Sequence, residues 1–575
     1  MNTTWNIHTP SEQESRECRR LADELKISTL SALLLIRRGL TTPEQARAFV
    51  RPSLQQLYDP FLMKDMDLAV QRLQRALDDH ENIHIYGDYD VDGTTAVALL
   101  YTFLHPRTDH LGYYIPDRYK EGYGISTQGI DYAHEHGYTL VIALDCGIKA
   151  VDKVEYAAGL GIDFIICDHH TPGDTLPAAA AVLNMKRHDC PYPYKELSGC
   201  GVGFKLAQAW LRHTHSDEGE LLPLLPLLAL SIACDIVPVT DENRILAYFG
   251  VRQLNLQPSV GIQALLHMAG IDNGPVTLSD LGYRIGPRVN ACGRMKSGAE
   301  AVQLLITQDQ QRAAQLAQDI ETYNRSRREA DIRITDEARL MLEADPDNDT
   351  RTTTVVYNPD WHKGVVGIAA SRLLESFYRP TIVLTAGEDD IISGSARSVA
   401  GFDIYTAIDS CRDLLTNFGG HTFAAGLSLH LQNLPEFRRR FEQYVAEHIT
   451  PRQKQPVLHI EADIRLSDIT AQFFNILRHL EPFGPQNANP VFLTRRLTNY
   501  RNTKRVGKQG EHLRVELTDG TNTITGIAFG FGDRAEQLRA GVPMDFCYQL
   551  TTNTFNGKTE VQMYVLDIQP SEAQP

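Results

Sequence analysis

No CxxC pair occurs in this chain, and its nine cysteines stand singly at 18, 146, 167, 190, 200, 234, 292, 411 and 547. That argues against a zinc knuckle or a disulfide framework and fits a reducing cytosol. Long apolar runs are missing too. The most apolar stretch, LLPLLPLLALSIAC at 221–234, is too short to span a bilayer, carries two prolines and reads as a buried core helix. The first residues, MNTTWNIHTPSEQ, have neither the basic segment nor the apolar core of a signal peptide. A soluble, cytoplasmic protein is expected. Basic residues are in deficit, 56 Lys and Arg against 72 Asp and Glu for a formal charge of −16. A wholly basic nucleic-acid binder is thereby excluded, although a basic groove on an acidic body is not. Internal repeats and low-complexity tracts are absent.

What is present is the composition of a globular enzyme, 42% hydrophobic and 22% charged. At roughly 150 residues per domain, 575 residues predict three to five domains. Residues 1 to about 80 read as short amphipathic helices, with TTPEQARAF (41–49) placing Pro in a first turn. Short apolar runs then alternate with helical stretches: IHIY (83–86), LVIAL (140–144), FIIC (164–167) and AAAVLN (179–184). Strands that are apolar on both faces and alternate with helices predict a doubly wound parallel sheet. An Arg-rich helical stretch at 301–345 could connect this to a second alternating region that begins at TTTVVYN (352–358). Beyond about 456, short alternating strands such as RVELTDG (514–520) predict a small barrel. The expected organisation is an N-terminal helical region (1–50), a catalytic α/β domain (51–300), a helical connector (301–349), a second α/β domain (350–450) and an OB-like β-barrel (451–575).

Ligands of an open parallel sheet bind where the carboxyl ends of its strands converge. Three of these strands run into acid: IHIYG into Asp88, Asp90 and Asp92; LVIAL into Asp145; FIIC into Asp168, His169 and His170. A fourth acid, Asp235, ends the apolar run at 221–234. One Asp after a strand is ordinarily a loop residue or a helix cap. Several on one edge would repel unless cations neutralised them, and oxygen donors with one or two imidazoles suit Mg²⁺ or Mn²⁺. Two such ions would serve phosphodiester hydrolysis.

The motifs DYDVDG (88–93), LDCG (144–147), CDHH (167–170) and ACDIVPV (233–239) resemble the four successive motifs of the DHH phosphoesterase family. WHKGVVGIAASRL (361–373), GSARS (394–398) and FGGHTFAAG (418–426) resemble its associated domain. The resemblance covers nearly the whole chain and implies a site for two divalent metal ions, Mg²⁺ or Mn²⁺. Asp88, Asp90, Asp145, His169 and Asp235 match metal ligands, while His170 and Asp168 match positions that orient ligands or stabilise the reacting phosphate. Many relatives have His just before the Gly-Asp of the first motif, where this chain has Tyr86, a poorer ligand. That departure puts the occupancy of one site, or its preferred metal, in question. His84 lies on the same strand face by the period of two and could compensate, though a packing role is the ordinary one for such a His.

The same resemblance implies a single-stranded-DNA-specific exonuclease that works 5′ to 3′ and releases 5′ mononucleotides in recombination, DNA repair and mismatch repair. The implied partners are a single-strand-binding protein and a RecQ-type helicase, and the implied state is a monomer. Strand-holding groups can be named. SGCGVGFK (198–205) opens a helix with glycines that could aim N–H groups at a phosphate, or simply pack tightly. GPRVNACGRMKSG (286–298) reads as a Gly-punctuated loop carrying Arg288 and Asn290, which the resemblance places near the substrate phosphates. His362, Arg397 and His421 sit beside glycines in the second domain, where close backbone approach and a bidentate Arg would suit a phosphate. Between 495 and 514 the chain has Arg495, Arg496, Arg501, Lys504, Arg505, Lys508 and Arg514 against Glu511, with Phe492 and Tyr500 close by. A basic strip with aromatics on a small barrel is a way of holding single strands. Two rival readings stay open: a related enzyme acting on small nucleotides, and a non-catalytic scaffold that kept the fold.

Overall fold

The computed structural model describes residues 3–272, 274–555 and 558–571. The chain forms two compact units, one from Ser53 to Lys454 and one that joins the stretch up to Pro52 with the stretch from Gln455 onward. Among the described residues no helix is long and apolar enough to cross a membrane.

The larger unit is built on a five-stranded sheet in the order Leu111–Tyr114, Ile83–Gly87, Leu140–Leu144, Asp163–Cys167, Ala181–Leu183, every pair parallel. Its strands are rich in Val, Ile and Leu because a parallel sheet is covered by helices on both faces. Ile83, Ile85, Ile142, Leu144 and Ile165 pack on one side with residues of the helices Val91–Leu104 and Gly199–His213. Tyr86, Val141, Ala143, Phe164 and Ile166 pack on the other with Thr127–Glu135 and Val151–Gly159. The doubly wound α/β fold is therefore as expected. So is the core helix at the apolar run, where Leu225–Cys234 has Leu225 to Ile232 buried.

A 34-residue helix, Gln310–Glu343, runs about 50 Å and leads to the second α/β layer. There the strand order is Leu415–His421, Ala424–His430, Ile391–Arg397, Thr381–Ala386, Thr354–Tyr357, with only the last pair parallel. One reading fails in this unit. The segment around Arg288 and Asn290 is a helix, Gly286–Met295, following a π-helical turn at Leu281–Ile285. Glycines that suggested a loop are there for packing, since a Cβ on Gly286 would meet Cys234 Sγ at 2.4 Å and one on Gly293 would meet the Tyr89 carbonyl oxygen at 2.6 Å.

In the smaller unit seven strands are ordered Ala462–Asp463, Phe492–Asn499, Met544–Phe555, Lys558–Pro570, Thr523–Ala528, His512–Thr518, Lys504–Val506. A further pairing of Thr498 with Thr518 and Asn499 with Leu517 brings the ladder back to its second strand, an OB-like arrangement around Leu513, Val515, Leu517, Phe546 and Met563. The N-terminal helices Glu12–Leu25 and Thr29–Ile36 put Leu21, Leu34 and Leu35 into this same core. Ahead of them is a short strand, Thr4–Ile7, in a stretch read from sequence as helical only. Its partner, Val457–Ile460, lies at the far end of the chain, beyond the reach of any local pattern.

Candidate functional site

Gly87, Leu144, Cys167 and Leu183 stand side by side at the carboxyl edge of the parallel sheet. The residues after them, Asp88, Asp145, Asp168 and Asn184, therefore emerge together, and the ladder continues for one more bond as the Asp145 and Asp168 N–H groups donate to the Cys167 and Leu183 carbonyls at 2.9 and 3.0 Å. Asp145 has φ 60, an uncommon backbone for a residue with a side chain. The helix Gly199–His213 packs directly on it: a Cβ on Gly199 would lie 2.5 Å from Asp145 Cβ. Asp90 caps the helix Val91–Leu104, accepting from the Gly93 N–H at 3.1 Å. Gly93 itself must lack a side chain, because a Cβ there would lie 2.4 Å from the Asp88 carbonyl oxygen.

Three groups of donor atoms result, each within 4.8 Å: Asp88, Asp90 and Asp145; Asp145, His169 and His170; Asp92, His169 and Asp235. Asp145 is shared by the first two and His169 by the last two. His169 Nε2 lies 3.2 Å from Asp145 Oδ1, 3.5 Å from Asp235 Oδ2 and 3.9 Å from Asp92 Oδ2. Asp88 Oδ1, Asp145 Oδ1, Asp235 Oδ2 and both His169 ring nitrogens are buried with no hydrogen-bond partner. Burial pushes the carboxyls of Asp88, Asp145 and Asp235 well up, and the neighbouring carboxylates push them further. Burial likewise lowers the His169 imidazole. Orphaned carboxylate oxygens around a neutral imidazole are a donor set for hard divalent cations, so the residues present fit such ions.

Asp92 belongs to this centre, though sequence reasoning carried only Asp88 and Asp90 forward from the first motif. Its two oxygens also accept from the Gly199 and Cys200 N–H groups at 2.6 and 2.9 Å and from the Ser231 hydroxyl at 2.7 Å. The glycine-opened helix at 199 thus directs its N–H groups at an internal carboxylate, not at a phosphate. The signal was available, since a carboxylate two residues after an N-cap sits in the first helical turn.

His170 is held by its neighbour. Asp168 Oδ1 accepts from His170 Nδ1 at 2.8 Å and from the His169 and His170 N–H groups at 2.7 and 3.1 Å, while Oδ2 accepts from the Ile148 N–H at 2.9 Å. Although burial opposes it, that hydrogen bond with the Asp168 charge raises the His170 pKa, and the same bond outweighs burial to lower that of Asp168. Asn184 donates to the His170 carbonyl at 2.9 Å. The strand-end argument that found Asp88 and Asp145 points to Asn184 as well. The Tyr123 hydroxyl reaches His170 Nε2 at 3.2 Å, and nothing in a loop sequence foretells that contact.

Tyr86 does not face these donors. It is 1% exposed, stacked on Tyr114 in the opposite apolar layer, and its hydroxyl donates to the Gly124 carbonyl at 3.0 Å and accepts from the Ser126 N–H at 3.1 Å. His84 is no substitute ligand. It is boxed by the rings of Tyr114, Tyr132 and Tyr138 at 6.0, 5.7 and 4.3 Å, and burial drives its pKa to about 3.

The other expected residues are distributed unevenly. Arg288 pairs with Glu321 at 2.7 Å, while Asn290 is half-buried on the same helix. His362 accepts from the Gly364 N–H at 3.1 Å, and Arg294 donates to the Gly364 carbonyl at 2.9 Å, which joins the catalytic layer to the second one. Burial, then the charges of Arg118, Arg327 and Arg397, lower the Arg294 pKa to about 10. Arg397 donates to the Ser395 hydroxyl and the Ala396 carbonyl at 2.6 and 2.7 Å, and has no carboxylate partner among the described residues. His421 is exposed at the end of the strand Leu415–His421. Arg501, Lys504 and Arg505 belong to the smaller unit, all exposed, with Arg501 over the Tyr500 ring at 4.8 Å. Arg495, in the same basic stretch, is engaged by Asp463 and Asp545.

Three family descriptions match the chain: the DHH family N-terminal domain over residues 82–232, the DHHA1 domain over 351–447 and the RecJ OB domain over 460–567. The chain is 36% identical to the single-stranded-DNA-specific exonuclease RecJ of Bacillus subtilis, an alignment spanning 99% of this chain and 71% of that one. Its structure resembles that of RecJ in complex with Mn²⁺ from Thermus thermophilus, with a TM-score of 0.83 and 26% identity over 99% of this chain and 80% of that one. The Mg²⁺ complex from the same organism gives a TM-score of 0.77 and 25% identity over 99% and 79%. Both cations are of the hard, oxygen-seeking class that the donor set fits.

Proposed function

The chain belongs to the RecJ family and is a metal-dependent nuclease, and we propose that it hydrolyses single-stranded DNA from the 5′ end, releasing 5′ mononucleotides with two divalent ions at the strand-end carboxylates. The observation that carries this reading is the cluster of buried carboxylate oxygens and imidazole nitrogens without hydrogen-bond partners at the carboxyl edge of the sheet. Asp88, Asp90 and Asp145 would hold one ion, and Asp92, His169 and Asp235 the other, with Asp145 close to both. When bound, such ions lower the pKa of a water and offset charge on the phosphate.

The chain's own groups do the rest. Asp168 fixes the ring of His170 by its Nδ1 and favours the imidazolium, which offsets charge building on the phosphate oxygens. Tyr123 limits the ring's swing from the other side. Arg397, with no carboxylate partner among the described residues, and His362 and His421 would orient the flanking nucleotide, while Arg501, Lys504 and Arg505 would hold the strand electrostatically. Asn290 and Arg288 lie beside the Arg294 joint, where Arg288 would contribute only by exchanging Glu321 for a phosphate. Polarity and product follow from the family resemblance, as do roles in recombination, DNA repair and mismatch repair, a monomeric state, and partnership with a single-strand-binding protein and a RecQ-type helicase.

An oligonucleotide labelled internally and at one end or the other, incubated with Mn²⁺, Mg²⁺ or EDTA, tests the reading. Metal-dependent release of mononucleotide from the 5′ end, lost in Asp145→Ala, is expected. Binding without cleavage under every metal condition would overturn it.

A further inference from the structure

We propose that Lys186 makes the two ion sites unequal: its ammonium group weakens the site of Asp92, His169 and Asp235, so that the ion there binds firmly only once a DNA phosphate lies beside it and takes up the Lys186 charge. This rests on the two-ion reading above and adds to it which ion comes and goes with the strand. The edge strand Ala181–Leu183 brings Lys186 to the centre, and one side chain fixes the turn that follows. Asn184 is fully buried; it donates to the His170 carbonyl at 2.9 Å and accepts from the Lys186 N–H at 2.8 Å. Lys186 is thereby tied to the main chain of the paired histidines. Its ammonium lies 3.5 Å from Glu196 Oε2, the two side chains 28% and 43% exposed. Glu196 shortly precedes Ser198, the cap of the helix whose Gly199 packs on Asp145. The pair therefore bridges two walls of the centre, the segment after a strand and the segment before a helix. A rim pair of that length and exposure is weak, and a phosphate is an acceptor for which Lys186 can leave Glu196.

The two donor groups also differ in charge. Asp88, Asp90 and Asp145 supply three carboxylates, whereas Asp92, His169 and Asp235 supply two and an imidazole. Asp92 is already engaged by the Gly199 and Cys200 N–H groups and the Ser231 hydroxyl, which leaves less of its charge for an ion. Lys186 acts on this poorer group. Burial, then the charges of Asp92 and Asp90, push the Asp235 carboxyl up, and Lys186 is the cation that works against them. Burial lowers the His169 imidazole, and Lys186 acts in the same direction. Arg118 plays the corresponding part for Asp88, whose carboxyl is pushed up by burial and then by Asp90. Its guanidinium, however, lies over the Tyr89 ring at 4.8 Å, and three carboxylates face it. A fixed positive charge beside a cation site lowers its affinity. A phosphate arriving there cancels that charge and offers the ion a further oxygen, so ion and strand strengthen one another's binding.

Titration of the full chain with Mn²⁺, followed by the electron paramagnetic resonance of the free ion with and without saturating thymidine 5′-monophosphate, tests this. The wild type should bind one ion tightly and a second at least about tenfold more weakly, and the nucleotide should tighten the second. Asp235→Asn should remove the weaker ion and keep the tight one. Lys186→Gln should tighten the second ion about tenfold in the absence of nucleotide, a gain that damage to the structure cannot produce, and Lys186→Arg should keep the wild-type difference. Glu196→Gln should weaken the second ion, but not where Lys186 is already Gln, because the two act through one another. Equal affinities in the wild type, a second ion unchanged in Lys186→Gln, or loss of the tight ion in Asp235→Asn overturns the role of Lys186 and leaves the two-ion reading standing. A single bound ion even with the nucleotide present overturns both.

Discussion

Replacing Tyr86 by Phe deletes one oxygen from a buried site and distinguishes two accounts of that residue. In the structure the hydroxyl ties the Gly124 carbonyl and the Ser126 N–H together, while the ring stacks on Tyr114 with centroids 5.4 Å apart and would be retained by Phe. The substitution removes the shared partner of a buried donor and a buried acceptor, which costs about 1–3 kcal/mol. Because the strand Ile83–Gly87 keeps all its ladder partners, the loss should be local to the turn that carries Tyr123. Hydrogen exchange at the Ser126 amide should accelerate by about 5- to 150-fold, that free energy expressed as a local opening equilibrium. Tyr123, released with the turn, should no longer restrain His170, and kcat should fall by about tenfold with Mn²⁺ affinity unchanged. Titrating Mn²⁺ against both proteins alongside exchange measurements decides the matter. A tenfold or greater loss of Mn²⁺ affinity with Ser126 protection intact would mean that Tyr86 serves the metal and that the described packing is wrong.

Three further outcomes are expected. Gly199→Ala would place a methyl 2.5 Å from Asp145 Cβ and 2.6 Å from its Oδ1; the carboxylate must move, and a displacement of that order costs about 100-fold in kcat, so wild-type turnover would refute the packing. Asp92→Ala should weaken Mn²⁺ binding by about 10- to 100-fold and also deprive the Gly199 and Cys200 N–H groups of their acceptor, while Ser198 still caps the helix; unchanged metal titration would remove Asp92 from the centre. His84 has a folded pKa of about 3, set by burial and then by His136, among Tyr114, Tyr132 and Tyr138, against an unfolded value of about 6.5. Between those values the unfolded chain binds the extra proton, so the stability His84 allows is fully present above about pH 6.5 and lost as pH falls, by about 2 kcal/mol at pH 5. His84→Phe should abolish this part, so its stability relative to wild type should rise by that amount between pH 7 and pH 5, and a pH-independent difference would refute the assignment.

The pattern of what could be read beforehand has a physical basis. Parallel strands buried on both faces announce themselves as apolar runs, and parallel pairing guarantees that whatever follows each run shares one edge. Asp88, Asp145 and Asp168 were therefore legible from three short segments, and Asn184 falls under the same rule. Contacts that depend on a loop's path were not. Tyr123 meets His170 from a loop whose neighbouring turn is bonded by Tyr86, and Thr4–Ile7 becomes a strand only through a partner at Val457–Ile460. Gly286 and Gly293 look like breakers and suggest a loop at 286–295, whereas each makes room in a helix for a neighbour that a Cβ would strike.

Tyr86 and His84 show how far a sound local rule reaches. The period of two correctly put Tyr86 and His84 on one strand face, but it carries no information about which face the donors occupy. The donors do not come from a strand face at all. Asp88 and Asp145 lie beyond the last paired residues, where the backbone has left the pleat, as the positive φ of Asp145 records, and Asp90 and Asp92 belong to the cap and first turn of a helix. A metal centre assembled from strand ends and helix starts is indifferent to the strand's own alternation. Tyr86 and His84 are thus free to serve the opposite layer, where the tyrosine hydroxyl bonds the Gly124 carbonyl and the Ser126 N–H in the turn beside Tyr123.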